Sequence, residues 1–547
     1  MCGICCATSV AYSQIQPPAD WYLLDPKIDS VNGISLNKAY AAARNLKSHP
    51  VIVAIIDSGV DIYHEDLEHA IWVNADEIPN NGIDDDQNGY IDDIHGWNFI
   101  GGKNGENVKY ETLEITRLYG KLKSKYADIS EENVRKKDLQ EYELYIHAKS
   151  EVEKNRSKIL NALKPIETEE QIILSAFRAV REEMKTDTID IAAVELIKEN
   201  ASPFLSLGKQ IILSLYDSEL EFETYSEIEA IAKKEYAAKM EAYRIKLNYS
   251  FNHEYNSRVS IVGDDYENSY DRLYGNNDVV GPDAFHGTHV AGIIAANRHN
   301  QSGIRGIADD VYIMSIRTVP DGDERDKDVA NAILYAADNG ASIINMSFGK
   351  YYTWDKEAVD AAIRYAESKD VLIIHAAGNN ANDNDSKIHY PSDRLMPKWF
   401  LGRRYAKNWI EVGALSWHQN DKAVASFSNY GRTEVDFFAP GVAIKSTAPE
   451  NNYAVASGTS MAAPVVAGIS ALIRSYFPAL TAAQVKEILK SSVLDCTYQV
   501  ILPGDHKQVQ LEEICVAGGI ANAYTAIRKA QRTKGKKKNT TGRIIRP

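Results

Sequence analysis

The sequence predicts an α/β fold with a central, mostly parallel sheet, and three observations carry that expectation. Short β-branched runs bounded by turn residues recur along the chain, helical patterns separate them, and the runs are apolar throughout instead of alternating. Strands of that kind bury both faces, which requires helices on either side of a parallel sheet.

The runs are VIVAIID (51–57), VYIMSIR (311–317), ASIINMS (341–347), VLIIHAA (371–377) and WIEVGAL (409–415). Between them, DVANAILYAADNG (328–340) and DKEAVDAAIRYAESKD (355–370) place apolar residues at i, i+3 and i+4 and stop at Gly or Asp. They read as the crossover helices of βαβ units. From 105 to 247 the rhythm changes. Segments such as SEENVRKKDLQEYELYIHAKSEVEKNRSKILNAL (130–163) and YSEIEAIAKKEYAAKMEAYRIKL (225–247) are helical in pattern and rich in Glu–Lys pairs three or four apart. An all-helical insertion over 105–247 is expected, carried by an α/β domain built from 20–104 and 263–500.

Composition narrows the class. A hydrophobic content of 44% with 25% charged residues describes a globular protein, and a net charge of −15 argues against a nucleic-acid binder. No run of 18 apolar residues is present, so no transmembrane helix is expected. Residues 1–13 (MCGICCATSVAYS) are uncharged and end small-x-small, like the second half of a secretory leader, which points to export or the cell envelope. Without that leader only Cys496 and Cys515 remain, a pair that an exported protein can bridge. The basic end, 530–547, reads as a frayed tail.

Three strand or helix ends carry chemistry. Asp57 closes the first strand, at the edge where open parallel sheets bind ligands. His286 opens an apolar helix in FHGTHVAGIIAA, and Ser460 stands between a glycine turn and small residues in SGTSMAAP. Singly these are a turn aspartate, a helix-start histidine and a cap serine. His286 and His289 lack the i, i+4 spacing and acidic partner of a helical metal pair. Together the three supply a hydroxyl, an imidazole to take its proton and a carboxylate to orient the imidazole.

The segments DSGVD, HGTHVAG and SGTSMAAP, in this order, resemble the three active-site signatures of subtilisin-like serine proteases, the subtilases. The resemblance implies a subtilisin-like three-layer fold, with Asp57 as orienting carboxylate, His286 as general base and acid, and Ser460 as nucleophile. It also implies that Asn379, in AAGN, donates to an oxyanion beside the backbone N–H of Ser460. Pro464 is expected early enough in its helix to cost little hydrogen bonding. By the same resemblance NMSFGK, with Ser347, Phe348 and Gly349, pairs with an extended substrate, and Ala376, Ala377 and Gly378 line a roomy P1 pocket. Lys350 replaces a common second glycine and His375 a common small residue, so subsite depth and the packing behind the pocket are open.

One stretch reads as a metal loop. In NGIDDDQNGYIDDIHGWNF, Asp84, Asp86, Asn88 and Asp92 fall at positions one, three, five and nine of an EF-hand-like pattern, with His95 where the bidentate Glu belongs. Alternating oxygen donors suit structural Ca²⁺. The expected function is a serine endopeptidase acting on protein or peptide substrates, with no nucleic-acid partner. A catalytically silent binding module, or an exopeptidase or peptide ligase using the same nucleophile, is the alternative. About fifty residues precede the first strand, with no evident prodomain, and the Asp57–His286 interval houses the insertion. The insertion is expected either to cover the cleft or to contact a partner.

Overall fold

The computed structural model describes residues 17–198, 202–217, 222–300, 303–397 and 404–536. The leader expected at 1–13 and residues 537–547 of the basic tail lie outside these residues. By Cα proximity the chain divides into two compact units, Met1–Lys109 with Ser257–Pro547, and Tyr110–Asn256.

Among the described residues the first unit holds thirteen strands: β1 Val51–Asp57, β2 Gly96–Asn98, β3 Val311–Arg317, β4 Ile343–Met346, β5 Leu372–Ala376, β6 Trp409–Leu415, β7 Phe437–Pro440, β8 Ile444–Ala448, β9 Asn452–Ala456, β10 Leu494–Asp495, β11 Val500–Ile501, β12 Gln508–Val509 and β13 Gly519–Ile520. Nine of them form one sheet in the order β10-β13-β7-β6-β5-β4-β1-β3-β2. All its pairings are parallel except β10–β13. The β1–β3 register runs from Val51↔Val311 to Asp57↔Arg317, and Ile56 faces Met346 on the other side.

The pleat of β1 shows why both faces are apolar. Val53 and Ile55 join the core beneath the helices Phe285–Ala295 and Thr459–Tyr476, and Ala54 and Ile56 join the core beneath Asp326–Asp338 and Lys356–Ser368. Each fully buried Val or Ile contributes roughly 1.5–3 kcal/mol. This is a three-layer, subtilisin-like α/β fold. Parallel pairing brings the carboxyl ends of β1, β4 and β5 to one edge, so Asp57, Ser347 and the turn after Ala376 share it.

The α/β unit continues past residue 500, the boundary expected from the sequence. Ile520 pairs with Phe438, and the helix Ala523–Ala530 buries Ala526 and Ile527. Two-residue strands carry no periodicity from which to foresee them. The basic end is likewise held longer than expected: Gln531 N–H donates to Ile527 O, and Lys536 N–H donates to Gln484 Oε1. Cys496 and Cys515 are free thiols, so the disulfide that the sequence allowed is not made.

The second unit is helical, with Glu114–Tyr126, Leu139–Met184, Ile191–Glu195, Pro203–Asp217 and Tyr225–Ile245. The 46-residue helix is about 70 Å long at 1.5 Å per residue. Alone it could not hide its apolar stripe; Leu174, Phe177 and Val180 pack with Ile212, Tyr225 and Ile228. A capping box between Thr224 and Glu227 starts Tyr225–Ile245.

Candidate active site

Asp57 ends β1 with its side chain buried, and its Oδ1 accepts a 2.7 Å hydrogen bond from His286 Nδ1. The same oxygen accepts from the Ser58 N–H at 2.8 Å, which fixes the carboxylate orientation. His286 is the second residue of Phe285–Ala295, and its side chain is 38% exposed. Burial of the ring pulls its pKa down, but the charge of Asp57 and the hydrogen bond to it outweigh that, and the net shift is upward. His289, one turn on, is buried with Nε2 on Ala454 O, and burial pushes it down to about 4. It is a neutral packing residue.

Ser460 is the second residue of Thr459–Tyr476, half-buried at the head of a helix whose residues Met461–Ser475 are all buried. Its hydroxyl donates to Ser347 O at 2.9 Å, and Ser347 Oγ donates back to Ser460 O at 3.0 Å. Pro464 explains the second bond. The helix starts at Thr459, so Pro464 is its sixth residue and not a first-turn residue as expected. Its missing N–H would have bonded Ser460 O in the i→i−4 pattern. Ser347 takes that carbonyl instead.

Asn379 lies in the turn after β5. Its Oδ1 accepts from Thr459 N–H at 2.8 Å and from Thr459 Oγ at 3.0 Å, which turns Nδ2 the other way. Gly458, which precedes the helix, has an extended φ of 165°, so backbone freedom is not what it supplies. A Cβ there would stand 3.4 Å from Asn379 Nδ2 and 3.6 Å from Ser460 N. Gly458 keeps open a space beside both nitrogens, at the positive end of a helix dipole.

A cavity of about 420 Å³ is lined by Asp57, His286, Ser347 and Phe348 together with Pro282, Phe285 and Val319. A larger one, about 1230 Å³, is lined by Trp72, Asn74, Asp86 and Tyr335 and touches neither His286 nor Ser460. Phe348 and Gly349 are partly exposed, whereas Ala376 and Ala377 are buried, so those two shape a wall from behind. Gly378 has φ +106°, and a Cβ there would lie 2.4 Å from Asn429 Nδ2. Lys350 is turned inward, 3% exposed, with Nζ 2.8 Å from Asp326 Oδ1 and donating to Glu324 O. His375 is fully buried among Phe348, His389 and Trp409.

The acidic loop differs from its sequence pattern. Glu77, Asp84 and Asp86 bring one carboxylate oxygen each within 4.8 Å of one another. Asp92 is not among them; its two oxygens accept from the N–H groups of Asn81 and Gly82. Asn88 donates its amide to Asp86 and Asp93, so its carboxamide orients the loop. Asp93 is buried, and burial raises it to about 6 despite hydrogen bonds from Tyr335, Asn74 and Asn88. Glu77 was missed because it precedes the alternating motif; its Oε2 is buried without a partner. Thr459 and Ser347, which orient Asn379 and Ser460, were also missed as partners, since pairings across 80 and 113 residues leave no local signal.

The profile of the Subtilase family matches residues 48–518. The chain belongs to the subtilase family. Thermophilic serine proteinase from Bacillus sp. (strain AK1) is 42% identical over 217 residues, which cover 39% of this chain and 47% of that protein. Thermitase from Thermoactinomyces vulgaris is 41% identical over 191 residues, covering 35% of this chain and 61% of that one. The matched segment spans about half the length of the first of these relatives. A cold adapted subtilisin-like serine proteinase of known crystal structure is 29% identical, with a TM-score of 0.35 over 43% of this subtilase and 76% of its own chain.

Proposed function

We propose that this subtilase is a serine endopeptidase that cleaves peptide bonds through an acyl-enzyme on Ser460. The reading rests on the Asp57–His286 pair, 2.7 Å apart, at the same sheet edge as a helix-head serine whose backbone nitrogen and Asn379 Nδ2 border one space. In the first step the Ser460 hydroxyl leaves Ser347 O and turns to His286, which takes its proton as Oγ attacks the scissile carbonyl. Asn379 Nδ2 and the Ser460 N–H receive the oxyanion. His286 then gives the proton to the departing amine, and water repeats the sequence on the ester. Asp57 keeps the imidazole in the tautomer that presents Nε2 to the serine.

Substrate is proposed to lie extended along Ser347–Gly349, with apolar or aromatic P1 side chains in the hollow bounded by Gly349 and Gly378. Calcium is proposed for the acidic loop. An all-oxygen donor set with an orphaned buried carboxylate oxygen on Glu77 fits a hard cation and not zinc, and Glu77, Asp84 and Asp86 would hold it as a loop fastener. Secretion fits the leader-like residues 1–13, and no described helix is long and apolar enough to cross a membrane.

Incubating a long unstructured peptide with the full chain and with Ser460→Ala, then sequencing the products, tests the reading. Internal cuts by the wild type alone support it. Trimming from one end points to the exopeptidase, joined products to the ligase, and an inert but folded wild type to the silent binding module.

A further inference from the structure

Beneath the proposed substrate edge lies a cluster that the peptidase mechanism does not use. His375 in β5 is 0% exposed, Glu411 in β6 is 6% exposed, and His389, in the loop between these strands, is 7% exposed. One ligand atom from each lies within 4.8 Å of the others. His375 Nδ1 already stands 3.0 and 2.9 Å from the two oxygens of Glu411. Trp409 Nε1 donates to Glu411 Oε2 at 2.9 Å and steadies the carboxylate. His389 Nδ1 is a buried nitrogen with no hydrogen-bond partner, a costly arrangement for an imidazole unless something is bound there.

We propose that His375, His389 and Glu411 bind one divalent transition-metal ion, zinc by the nature of the donors. Two imidazoles and a carboxylate are a borderline donor set that favours zinc-class ions over calcium or magnesium. Bonds of about 2.0–2.1 Å put tetrahedral ligands roughly 3.3 Å apart. The His375–Glu411 edge is near that, and His389 closes the rest by up to about 1.5 Å. A cavity of about 10 Å³ lined by His389, Ser392, Asp393 and Glu411 has room for one water, the fourth ligand that a three-residue site requires.

The surrounding charge favours a cation over a lone buried water. Asp393 and Glu434 line the same small cavity as Glu411, so three carboxyl groups stand around one space. Among the described residues, Arg394 pairs with Glu434 at 2.7 Å and Lys486 with Asp436 at 3.5 Å.

The ion would be structural and set the floor of the proposed P1 pocket. A Cβ on Gly349 would lie 2.3 Å from His389 Cε1, and one on Gly378 would lie 3.2 Å from His389 Nε2. Tying β5, β6 and the His389 loop to one ion therefore immobilises the two glycines between which P1 enters. This consequence rests on the proposed peptidase reading; the metal binding does not.

The test uses the full chain carrying Ser460→Ala, stripped with chelator and titrated with Co²⁺. One equivalent is expected to give the intense visible bands of a four-coordinate site with nitrogen ligands. His389→Gln and Glu411→Gln are expected to weaken binding by at least about 10–100-fold, the range for disturbing the shell around a metal. X-ray absorption of the zinc-loaded wild-type sequence needs no variant, and should show imidazole scattering with a first shell near ~2.0–2.1 Å. No stoichiometric ion, or only the weak bands of an all-oxygen site unchanged in His389→Gln, overturns the proposal and leaves a buried water in the cluster.

Discussion

Ser347 and Ser460 exchange two hydrogen bonds across 113 residues, hydroxyl to carbonyl in each direction, and Pro464 makes the exchange possible by leaving Ser460 O without a helical donor. Asn345 Nδ2 holds the Ser347 hydroxyl from its other side at 2.9 Å. Ser347→Ala should orphan a helix carbonyl, at a cost of about 1–3 kcal/mol. In Ser347→Ala/Pro464→Ala the new N–H of residue 464 can take that carbonyl. The two changes should therefore couple by roughly 0.5–3 kcal/mol in a double-mutant cycle read by urea unfolding. Additive effects would show that Ser347 does not substitute for the missing helical donor.

Gly458→Ala should separate activity from stability. With φ at 165° an alanine is unstrained, so the melting temperature should barely change, while its methyl intrudes 3.4 Å from Asn379 Nδ2 and 3.6 Å from Ser460 N. kcat should fall with KM little altered. Asn379→Ala should lower kcat by about 10²–10³-fold, the size known for losing the oxyanion asparagine of subtilisin, a member of the same family. A Gly458→Ala enzyme of full activity would mean that the space between the two donors is not where the oxyanion sits.

The pH dependence follows from His286. Its pKa is raised: burial opposes the charged ring, but the charge and hydrogen bond of Asp57 prevail. The neutral ring is the base, so kcat/KM should rise with pH through a limb lying above the ordinary histidine value of about 6.5. Asp57→Asn removes the two larger upward influences and leaves burial opposed only by the charge of Asp283, so the limb should move to lower pH while kcat collapses. For stability the sign is opposite: the raised pKa contributes most below about 6.5 and is lost as pH climbs through the folded-state value. A limb unmoved by Asp57→Asn would assign it to another group.

Much of this site is legible in the sequence, and the reasons are local. Val51–Asp57, Val311–Arg317 and Trp409–Leu415 are strands over the residues expected, because apolar runs closed by turn residues specify both the element and its burial. Asp57, His286 and Ser460 stand out because each ends or begins an element. What escapes depends on distance in sequence. Glu77 lies outside the alternating acidic run, Asp92 bends away to Asn81 and Gly82, and His389 and Glu411 meet His375 only through the folding of β5 beside β6. Position in a helix misleads at Pro464, since the element starts one residue before Ser460.

The acidic loop gives a stability prediction. If Glu77, Asp84 and Asp86 hold calcium, then Ca²⁺ at a hundred times its Kd should stabilise the wild type by about 2.7 kcal/mol. Glu77→Gln should abolish that gain while leaving the calcium-free protein close to wild type, because the orphaned buried oxygen is the one neutralised. Calorimetric unfolding with and without Ca²⁺ measures both. An equal calcium response in Glu77→Gln would move the ion elsewhere.

The most direct measurement is covalent trapping of the nucleophile. The folded full chain is treated with a fluorophosphonate, its intact mass is recorded, and the modified peptide is sequenced. One adduct per chain on Ser460 is expected, absent in Ser460→Ala and strongly slowed in His286→Ala. A wild type that stays unmodified, or an adduct that persists in Ser460→Ala, would contradict a nucleophilic Ser460 driven by His286 and Asp57.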